Sequence, residues 1–119
     1  MSQIKKVLII DDEGELNEMV TLRLTKDGYQ VDSATDGRTG IDKIKSFKPD
    51  IVFLDINMPD MDGWEVCQKV RADVSIQNTL IVILTATRNF QKAKELNVHR
   101  VVLKPFNYEE ILNILKQEN

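Results

Sequence analysis

Four apolar residues run directly into three acidic ones at Val7-Leu8-Ile9-Ile10-Asp11-Asp12-Glu13. A short apolar run without polar alternation is typical of a strand that is buried on both faces of a parallel sheet. Three similar runs follow along the chain, and a weaker one comes directly after the Asp27-Gly28 turn signal. They cover residues 51–54, 80–84 and 101–103 and, for the weaker run, 30–34. The pattern predicts five strands of a parallel sheet.

Helical periodicity separates the apolar runs. Leu16, Met19, Val20 and Leu24 are spaced i, i+3, i+4 and i+8, which predicts the apolar stripe of a first helix. Strands alternating with helices predict right-handed crossovers and one doubly wound α/β domain over residues 1–119. Four further helices are marked by Ile41 and Ile44, by Val66 and Val70, by Ala93 and Leu96, and by Tyr108, Ile111, Ile114 and Leu115.

The composition excludes several classes of protein. With 16 Lys and Arg against 19 Asp and Glu, the net charge is −3, which is unsuited to a stand-alone nucleic-acid binder. One cysteine cannot form an internal disulfide, and one histidine cannot complete the usual His/Cys zinc site. No apolar run approaches the ~20 residues of a membrane span. We therefore expect a cytoplasmic domain that binds neither nucleic acid nor membrane.

Polar residues follow the apolar runs at four strand ends. The first run ends in Asp11 and Asp12, and later runs end in Asp55, Thr85 and Lys104. The strands of a parallel sheet share one carboxyl edge, which is where ligands bind in such folds. Each residue alone is most simply interpreted as a turn or helix-cap residue. Together they predict a crevice that holds three carboxylates, a hydroxyl and an ammonium group.

Three carboxylates in one crevice require a compensating charge. Two of them ~5 Å apart repel each other by about 3 kcal/mol at an effective dielectric constant of about 20. A hard divalent cation offsets this repulsion, and Mg²⁺ prefers one or two carboxylates, a carbonyl and several waters. The set of residues therefore predicts a magnesium site.

Competing motifs fit the sequence poorly. An EF-hand fails, because aligning Asp62-Gly63 with its fifth and sixth positions puts Met58 at the first ligand position. Neither common Gly-rich phosphate loop occurs, which argues against nucleotide hydrolysis and dinucleotide binding. No Ser or Cys pairs convincingly with His99 for acyl transfer. A phosphohydrolase with an aspartyl intermediate is a weak alternative, since that class has Asp-x-Asp where this chain has Asp55-Ile56-Asn57.

The strand ends and their loops resemble the receiver domains of two-component response regulators, of the single-domain type. The resemblance covers nearly the whole chain and implies a flavodoxin-like sheet of strand order 2-1-3-4-5 with five flanking helices. It rests on four segments: Val7-Leu8-Ile9-Ile10-Asp11-Asp12-Glu13, Asp55-Ile56-Asn57-Met58-Pro59-Asp60-Met61-Asp62-Gly63, Leu84-Thr85-Ala86 and Lys104-Pro105-Phe106.

The resemblance implies a chemical role for the acidic residues. Asp55 is expected to be the phosphoacceptor, which receives a phosphoryl group from a sensor histidine kinase, a phosphotransfer protein or a small acyl phosphate. Asp11 and Asp12 are expected to bind Mg²⁺, with Asp55 and the main-chain carbonyl of Asn57 completing the protein ligands. Catalysis of phosphoryl transfer depends mainly on positioning and on cations, which suits this set of residues.

The resemblance also implies roles for the remaining site residues. Lys104 supplies a second positive charge, the Thr85 hydroxyl binds a phosphoryl oxygen and acts as the sensor, and the small Ala86 leaves the in-line approach open. The bond before Pro105 is expected to be cis. In the third strand's loop, Pro59 is expected to fix a turn and Gly63 to adopt a positive φ.

The expected function is therefore a phosphorylation-dependent switch of a protein-interaction surface. The domain is not expected to be an enzyme beyond promoting its own phosphorylation and dephosphorylation. It would act by contact with a downstream protein, or as one domain of a longer chain.

Two departures from the family pattern support an alternative. Val101 stands where relatives usually have Tyr or Phe, and the stretch between Thr85 and Lys104 is short by about one helical turn, ~5.4 Å. We expect an unusual output surface. The alternative function is a receiver-like interaction module that no longer switches on phosphorylation.

Three single residues are predicted to be structural. His99 is expected at a turn or strand edge, Cys67 as a small buried apolar residue, and Trp64 half-exposed at the start of a helix. The basic residues Arg88, Lys92 and Lys94 predict a solvated helix face.

Overall fold

The computed structural model describes residues 3–87 and 91–118, in which strands alternate with helices. The strands are β1 (Lys6–Ile10), β2 (Gln30–Ala34), β3 (Ile51–Asp55), β4 (Leu80–Thr85) and β5 (Arg100–Leu103). The helices are α1 (Gly14–Lys26), α2 (Gly37–Phe47), α3 (Gly63–Ala72), α4 (Gln91–Glu95) and α5 (Tyr108–Gln117). The predicted alternation is confirmed, and every predicted strand end lies within one residue of the observed one.

The five strands form one parallel sheet in the order β2-β1-β3-β4-β5. Ile10 of β1 is in register with Leu54 of β3, and Asp55 is in register with Leu84 of β4. The carboxyl ends of the central strands are therefore level with one another. The flavodoxin-like order implied by the resemblance is confirmed.

Each face of the sheet is covered by its own layer of helices. Because side chains alternate along a strand, Val7 and Ile9 pack with α1 and α5, whereas Leu8 and Ile10 pack with α2 and α3. Both clusters consist mainly of buried aliphatic side chains, with Phe53 and Tyr108 in the first and Cys67 in the second. This double burial explains why the strands are uninterrupted apolar runs in the sequence.

The apolar stripe of α1 differs from the prediction at one residue. Met19 is 37% exposed, and the buried residues of the helix are Asn17, Val20 and Leu24. Asn17 is buried because its side-chain amide donates to the main-chain oxygens of Asp11 and Ala34 at the ends of β1 and β2. The buried face of α1 therefore includes the hydrogen-bonded amide of Asn17, whereas the periodicity predicts the apolar side chain of Met19 there.

Several features at the helices bear on the predictions for single residues. Cys67 is buried in α3, as predicted, and Trp64 is half-buried against the apolar cluster beneath α2 and α3. Lys92 and Lys94 are exposed on α4, whereas Arg88 lies outside the described residues. No helix among residues 3–87 and 91–118 is both long enough and apolar enough to cross a membrane.

Candidate functional site

Three carboxylates meet at the carboxyl edge of the sheet. Asp11 and Asp12 follow β1, and Asp55 is the last residue of the adjacent strand β3. One oxygen of each carboxylate lies within 4.8 Å of one oxygen of each of the others. Asp11 and Asp55 are buried, and Asp12 is exposed. At this separation, ionised pairs repel by about 3 kcal/mol at an effective dielectric constant of about 20. The predicted convergence of acidic residues is confirmed.

Asp11 is held in place by hydrogen bonds from three segments. Its main-chain nitrogen donates to the oxygen of Ala34 over 3.0 Å, and the Asn17 amide donates to its main-chain oxygen over 2.8 Å. Its Oδ1 accepts a bond of 3.0 Å from the nitrogen of Glu13. Asn17 thus supports the site from α1, although the sequence offered only one signal for it, a polar residue within an apolar stripe.

Lys104 directly follows β5, the strand beside β4, and its side chain reaches the carboxylates from there. Its Nζ donates to Asp11 Oδ2 over 2.7 Å and lies 3.6 Å from Asp55 Oδ1 and 3.4 Å from Glu13 Oε1. Its main-chain nitrogen donates to the oxygen of Thr85, which joins the two strand ends. The peptide bond from Lys104 to Pro105 is cis. One ammonium therefore faces three acidic side chains.

Burial and mutual repulsion change the ionisation of the cluster. Burial, and then the charge of Asp11, raise the pKa of Asp55 from 3.8 to about 6, while Lys104 opposes the shift. Burial also raises the pKa of Asp11, despite its hydrogen bond to Lys104. Burial alone would lower the pKa of Lys104, but the bond to Asp11 and the nearby negative charges raise it. The cluster is therefore short of positive charge, a deficit that a divalent cation would remove.

Thr85 ends β4 on the other side of Asp55. Its side chain is buried, and its Oγ1 accepts a hydrogen bond of 3.1 Å from the nitrogen of Thr87 and lies 3.2 Å from Thr87 Oγ1. Ala86 beside it is exposed. A cleft of about 350 Å³ opens here, lined by Glu13, Leu16, Ala86, Lys104, Pro105 and Phe106. A larger cleft of about 870 Å³ lies at the opposite edge of the sheet and contains none of these residues.

The loop between β3 and α3 folds back on the site. The nitrogen of Asn57 faces Asp55 Oδ1 over 3.4 Å, and the nitrogen of Gly63 donates to the oxygen of Ile56 over 2.8 Å. The expectation of a positive φ at Gly63 is wrong, since Gly28 is the glycine with positive φ in the described chain. Gly63 is needed for space, because a Cβ there would meet the main-chain oxygen of Asp55 and lie 2.9 Å from Cα of Ile56.

Comparison with known proteins agrees with this arrangement. The family model described as "Response regulator receiver domain" matches residues 7–116. The response regulator ArlR of Staphylococcus aureus is 36% identical over 110 residues, which are 90% of this chain and 49% of ArlR. The probable transcriptional regulator ycf27 of Guillardia theta is 36% identical over 107 residues, 90% of this chain and 42% of that protein. The chain thus spans about half the length of these curated relatives.

Solved structures give the same result. The chemotaxis protein CheY4 of Vibrio cholerae superposes with a TM-score of 0.89 at 33% identity, covering 98% of this chain and 99% of that one. The response regulator TrrA of Thermotoga maritima, solved in complex with Mg²⁺-BeF, has a TM-score of 0.82 at 29% identity. That match covers 98% of this chain and 100% of TrrA.

Proposed function

Because the chain belongs to the response regulator receiver domain family, we propose that it accepts a phosphoryl group on Asp55 and passes the signal to another protein. The observation that carries this proposal is the acidic pocket of Asp11, Asp12 and Asp55, whose oxygens lie within 4.8 Å of one another. This pocket is consistent with phosphorylation-dependent signalling, and receiver domains are not classical enzymes.

The residues of the pocket suit Mg²⁺. All of the donors are hard oxygen atoms, and Mg²⁺ takes one or two carboxylates together with a carbonyl and waters. Asp11, Asp12 and Asp55 would supply the carboxylates, and Asn57 the main-chain carbonyl. The solved complex of TrrA with Mg²⁺-BeF supports this choice of ion. When bound, the ion would neutralise charge on the carboxylates and on the phosphoryl oxygens.

Asp55 is the acceptor in this scheme. A carboxylate oxygen of Asp55 forms a bond to the phosphorus, and the bond from phosphorus to the donor's leaving atom breaks, with its electron pair going to the leaving atom. The carboxylate must be ionised to attack, and the charge of Lys104, 3.6 Å away, favours that form. Transfer of this kind needs positioning and cationic charge more than covalent chemistry from the protein.

Three further residues would surround the phosphoryl group once it is bound to Asp55. The Lys104 ammonium would bind a phosphoryl oxygen, and the Thr85 hydroxyl would bind another after turning from its contact with Thr87. The small side chain of Ala86 leaves the approach to Asp55 open. We infer that rotation of Thr85 toward the phosphoryl group moves the loop after β4 and alters a distant surface.

The phosphoryl donor follows from the family. A receiver domain implies a cognate histidine kinase, and a phosphotransfer protein or a small acyl phosphate carries the same chemistry. Acetyl phosphate is therefore a suitable test donor when no kinase is identified. The protein that reads the switched surface is a partner of unspecified class.

The proposal is tested by incubation with acetyl phosphate and Mg²⁺ followed by intact-mass measurement. We expect a gain of one phosphoryl group, which is lost in Asp55→Ala and when Mg²⁺ is chelated. Asp42→Asn is the matched control, because it changes one carboxylate on the exposed surface of α2, outside the pocket. Unchanged mass in the folded parent protein, or equal labelling of Asp55→Ala, would contradict the proposal.

A second candidate function rests on Val101. This residue is half-buried and packs against the cluster beneath α2 and α3, and an aliphatic side chain cannot follow Thr85 as the usual aromatic residue does. The chain would then be an interaction module that does not switch on phosphorylation. Comparing amide exchange of phosphorylated and unphosphorylated protein separates the two functions, since the interaction module predicts no difference away from the pocket.

A further inference from the structure

The loop that carries Asn57 is tied to a helix that contributes no residue to the acidic pocket. Asp60 Oδ1 accepts a hydrogen bond of 2.8 Å from the nitrogen of Gly37, and Asp60 Oδ2 accepts one of 3.0 Å from the nitrogen of Arg38. Gly37 and Arg38 are the first two residues of α2. Both oxygens of one carboxylate therefore engage main-chain N–H groups that have no acceptor within the helix.

Charge favours the same contact. The N-terminus of a helix carries partial positive charge, which stabilises a carboxylate placed against it. Consistent with this, the hydrogen bonds from Gly37 and then Arg38 lower the pKa of Asp60 below its usual value. Asp60 is thus held as an anion on α2, although it belongs to the loop that leads from β3 to α3.

Packing reinforces the tie between loop and helix. A Cβ on Gly37 would meet the side chain of Met61 and lie 3.1 Å from Cγ2 of Val66. The absence of a side chain at Gly37 therefore lets Met61, the residue after Asp60, lie directly against the start of α2. The hydrogen bonds and the close approach bring the same two segments together.

The other end of the loop is also anchored. The nitrogen of Ile56 donates to the oxygen of Leu84 over 3.2 Å, and the oxygen of Ile56 accepts from the nitrogen of Gly63 over 2.8 Å. Asn57 is the next residue, three positions before Asp60. The main-chain carbonyl of Asn57 therefore belongs to a short segment that is fixed to the sheet at one end and to α2 at the other.

We propose that Asp60 is a positioning residue for the metal site, which holds the Asn57 carbonyl toward the acidic pocket by anchoring the loop to α2. This inference rests on the proposed function, in which that carbonyl is a ligand of Mg²⁺. Mg²⁺ requires ligands close to octahedral geometry, so a carbonyl on a loosened loop binds it less well. Asp60 acts through the loop and does not touch the ion or Asp55.

The first test compares Mg²⁺ affinity in two variants by isothermal titration calorimetry. Asp60→Ala removes the tie, and we expect the dissociation constant of Mg²⁺ to rise roughly tenfold, the size of effect typical of residues that support metal ligands. Asp36→Ala is the matched control, because Asp36 caps the same helix through the nitrogen of Thr39 and not through the loop. Its dissociation constant should stay within about twofold of the parent value. Equal affinities in the two variants would overturn the proposal.

The second test measures amide hydrogen exchange without metal. Residues 56–61 should exchange faster in Asp60→Ala than in Asp36→Ala, because only the first variant frees the loop. If the parent protein binds no Mg²⁺, the proposed function fails and the positioning role fails with it, and the exchange result then decides only whether Asp60 anchors the loop to α2. Unchanged exchange at residues 56–61 shows that Asp60 does not anchor the loop, which overturns the proposal. Should Asp60→Ala fail to fold, Asp60→Asn, which keeps one acceptor, is expected to show intermediate exchange, and parental exchange there counts against the proposal.

Discussion

The ionisation that the proposed reaction requires of Asp55 is opposed by the burial of its side chain. In the proposed reaction Asp55 must be ionised to attack phosphorus, yet its side chain is only 5% exposed and lies close to the charge of Asp11. Lys104 offsets part of this cost with one positive charge, which leaves three ionised carboxylates of the pocket with an excess of two negative charges. Binding of a divalent cation would offset this excess of negative charge.

The ionisation of Asp55 predicts how stability depends on pH in metal-free protein. Its pKa is 3.8 when unfolded and about 6 when folded, so between these values the folded state binds more protons than the unfolded state. Stability contributed by protonated Asp55 is therefore lost as the pH rises through this window. Asp55→Asn removes this loss, so it should gain stability over the parent by up to about 3 kcal/mol as the pH rises from about 4 to about 7.

The measurement is urea unfolding in chelator at several pH values, with Asp42→Asn as the control that removes an exposed carboxylate. Other carboxylates titrate in both proteins, so the quantity of interest is the difference between variant and parent. A difference that is independent of pH would show that the pKa of Asp55 is the same in the folded and unfolded states, and a difference that shrinks as the pH rises would show that folding lowers this pKa.

At the scale of elements, α3 and α4 are joined by one arginine. The Arg71 guanidinium donates to the oxygens of Leu96 and Asn97 after α4, and to those of Gln77 and Thr79 before β4, over 2.7 to 3.1 Å. Asn97 has a φ of 53°, a left-handed backbone conformation that residues other than glycine adopt at a cost in free energy. The short helix α4 is thus secured at its C-terminal end by a side chain from α3.

Loss of this junction should destabilise the protein. Arg71→Ala leaves four carbonyls without their charged donor, and we expect a loss of about 2 kcal/mol in the free energy of unfolding. Arg71→Lys should recover only part of the loss, because an ammonium cannot reproduce the planar fork of donors. Lys69→Ala, which removes a nearby exposed cation of α3, should change stability by less than about 0.5 kcal/mol. Chemical denaturation of the three variants gives the comparison, and equal stability of Arg71→Ala and Lys69→Ala would refute the role of Arg71.

At the scale of the whole molecule, the burial and the parallel arrangement of the strands explain which features the sequence predicts well. Strands buried on both faces must be apolar throughout, so the runs at residues 7–10 and 51–54 identify them to within one residue. Parallel strands share a carboxyl edge, so the meeting of Asp11 with Asp55 follows from their positions after those runs. The strand order itself came from the family resemblance, because periodicity identifies strands without ordering them.

Contacts between segments that are distant in the sequence determine the features that the sequence pattern does not predict. Asn17, Asp60 and Arg71 all bind main-chain groups of other elements, and such partners leave no periodic signal in the sequence. The local sequence predicts a positive φ at Gly63, whereas the structure requires a glycine there because the main chain of Asp55 and Ile56 approaches it closely. Tertiary hydrogen bonds and close backbone approach therefore set the details of the site that patterning does not reach.

If the acidic pocket binds Mg²⁺ as proposed, the whole molecule should be stabilised by the ion, which can be measured directly. An ion that binds only the folded state adds about 2.7 kcal/mol at a concentration 100 times its dissociation constant, which corresponds to a rise in Tm on the order of 10 °C. Removing one carboxylate relieves repulsion, so Asp12→Asn should be more stable than the parent in chelator and less responsive to the ion.

The decisive measurement is the Tm of the parent, Asp12→Asn and Asp42→Asn across a Mg²⁺ titration. We expect the Tm of the parent and of Asp42→Asn to rise with Mg²⁺, and that of Asp12→Asn to start higher and to rise less. A parent Tm that does not change with Mg²⁺, or an equal rise in all three proteins, would contradict the claim that these carboxylates are gathered to bind a cation.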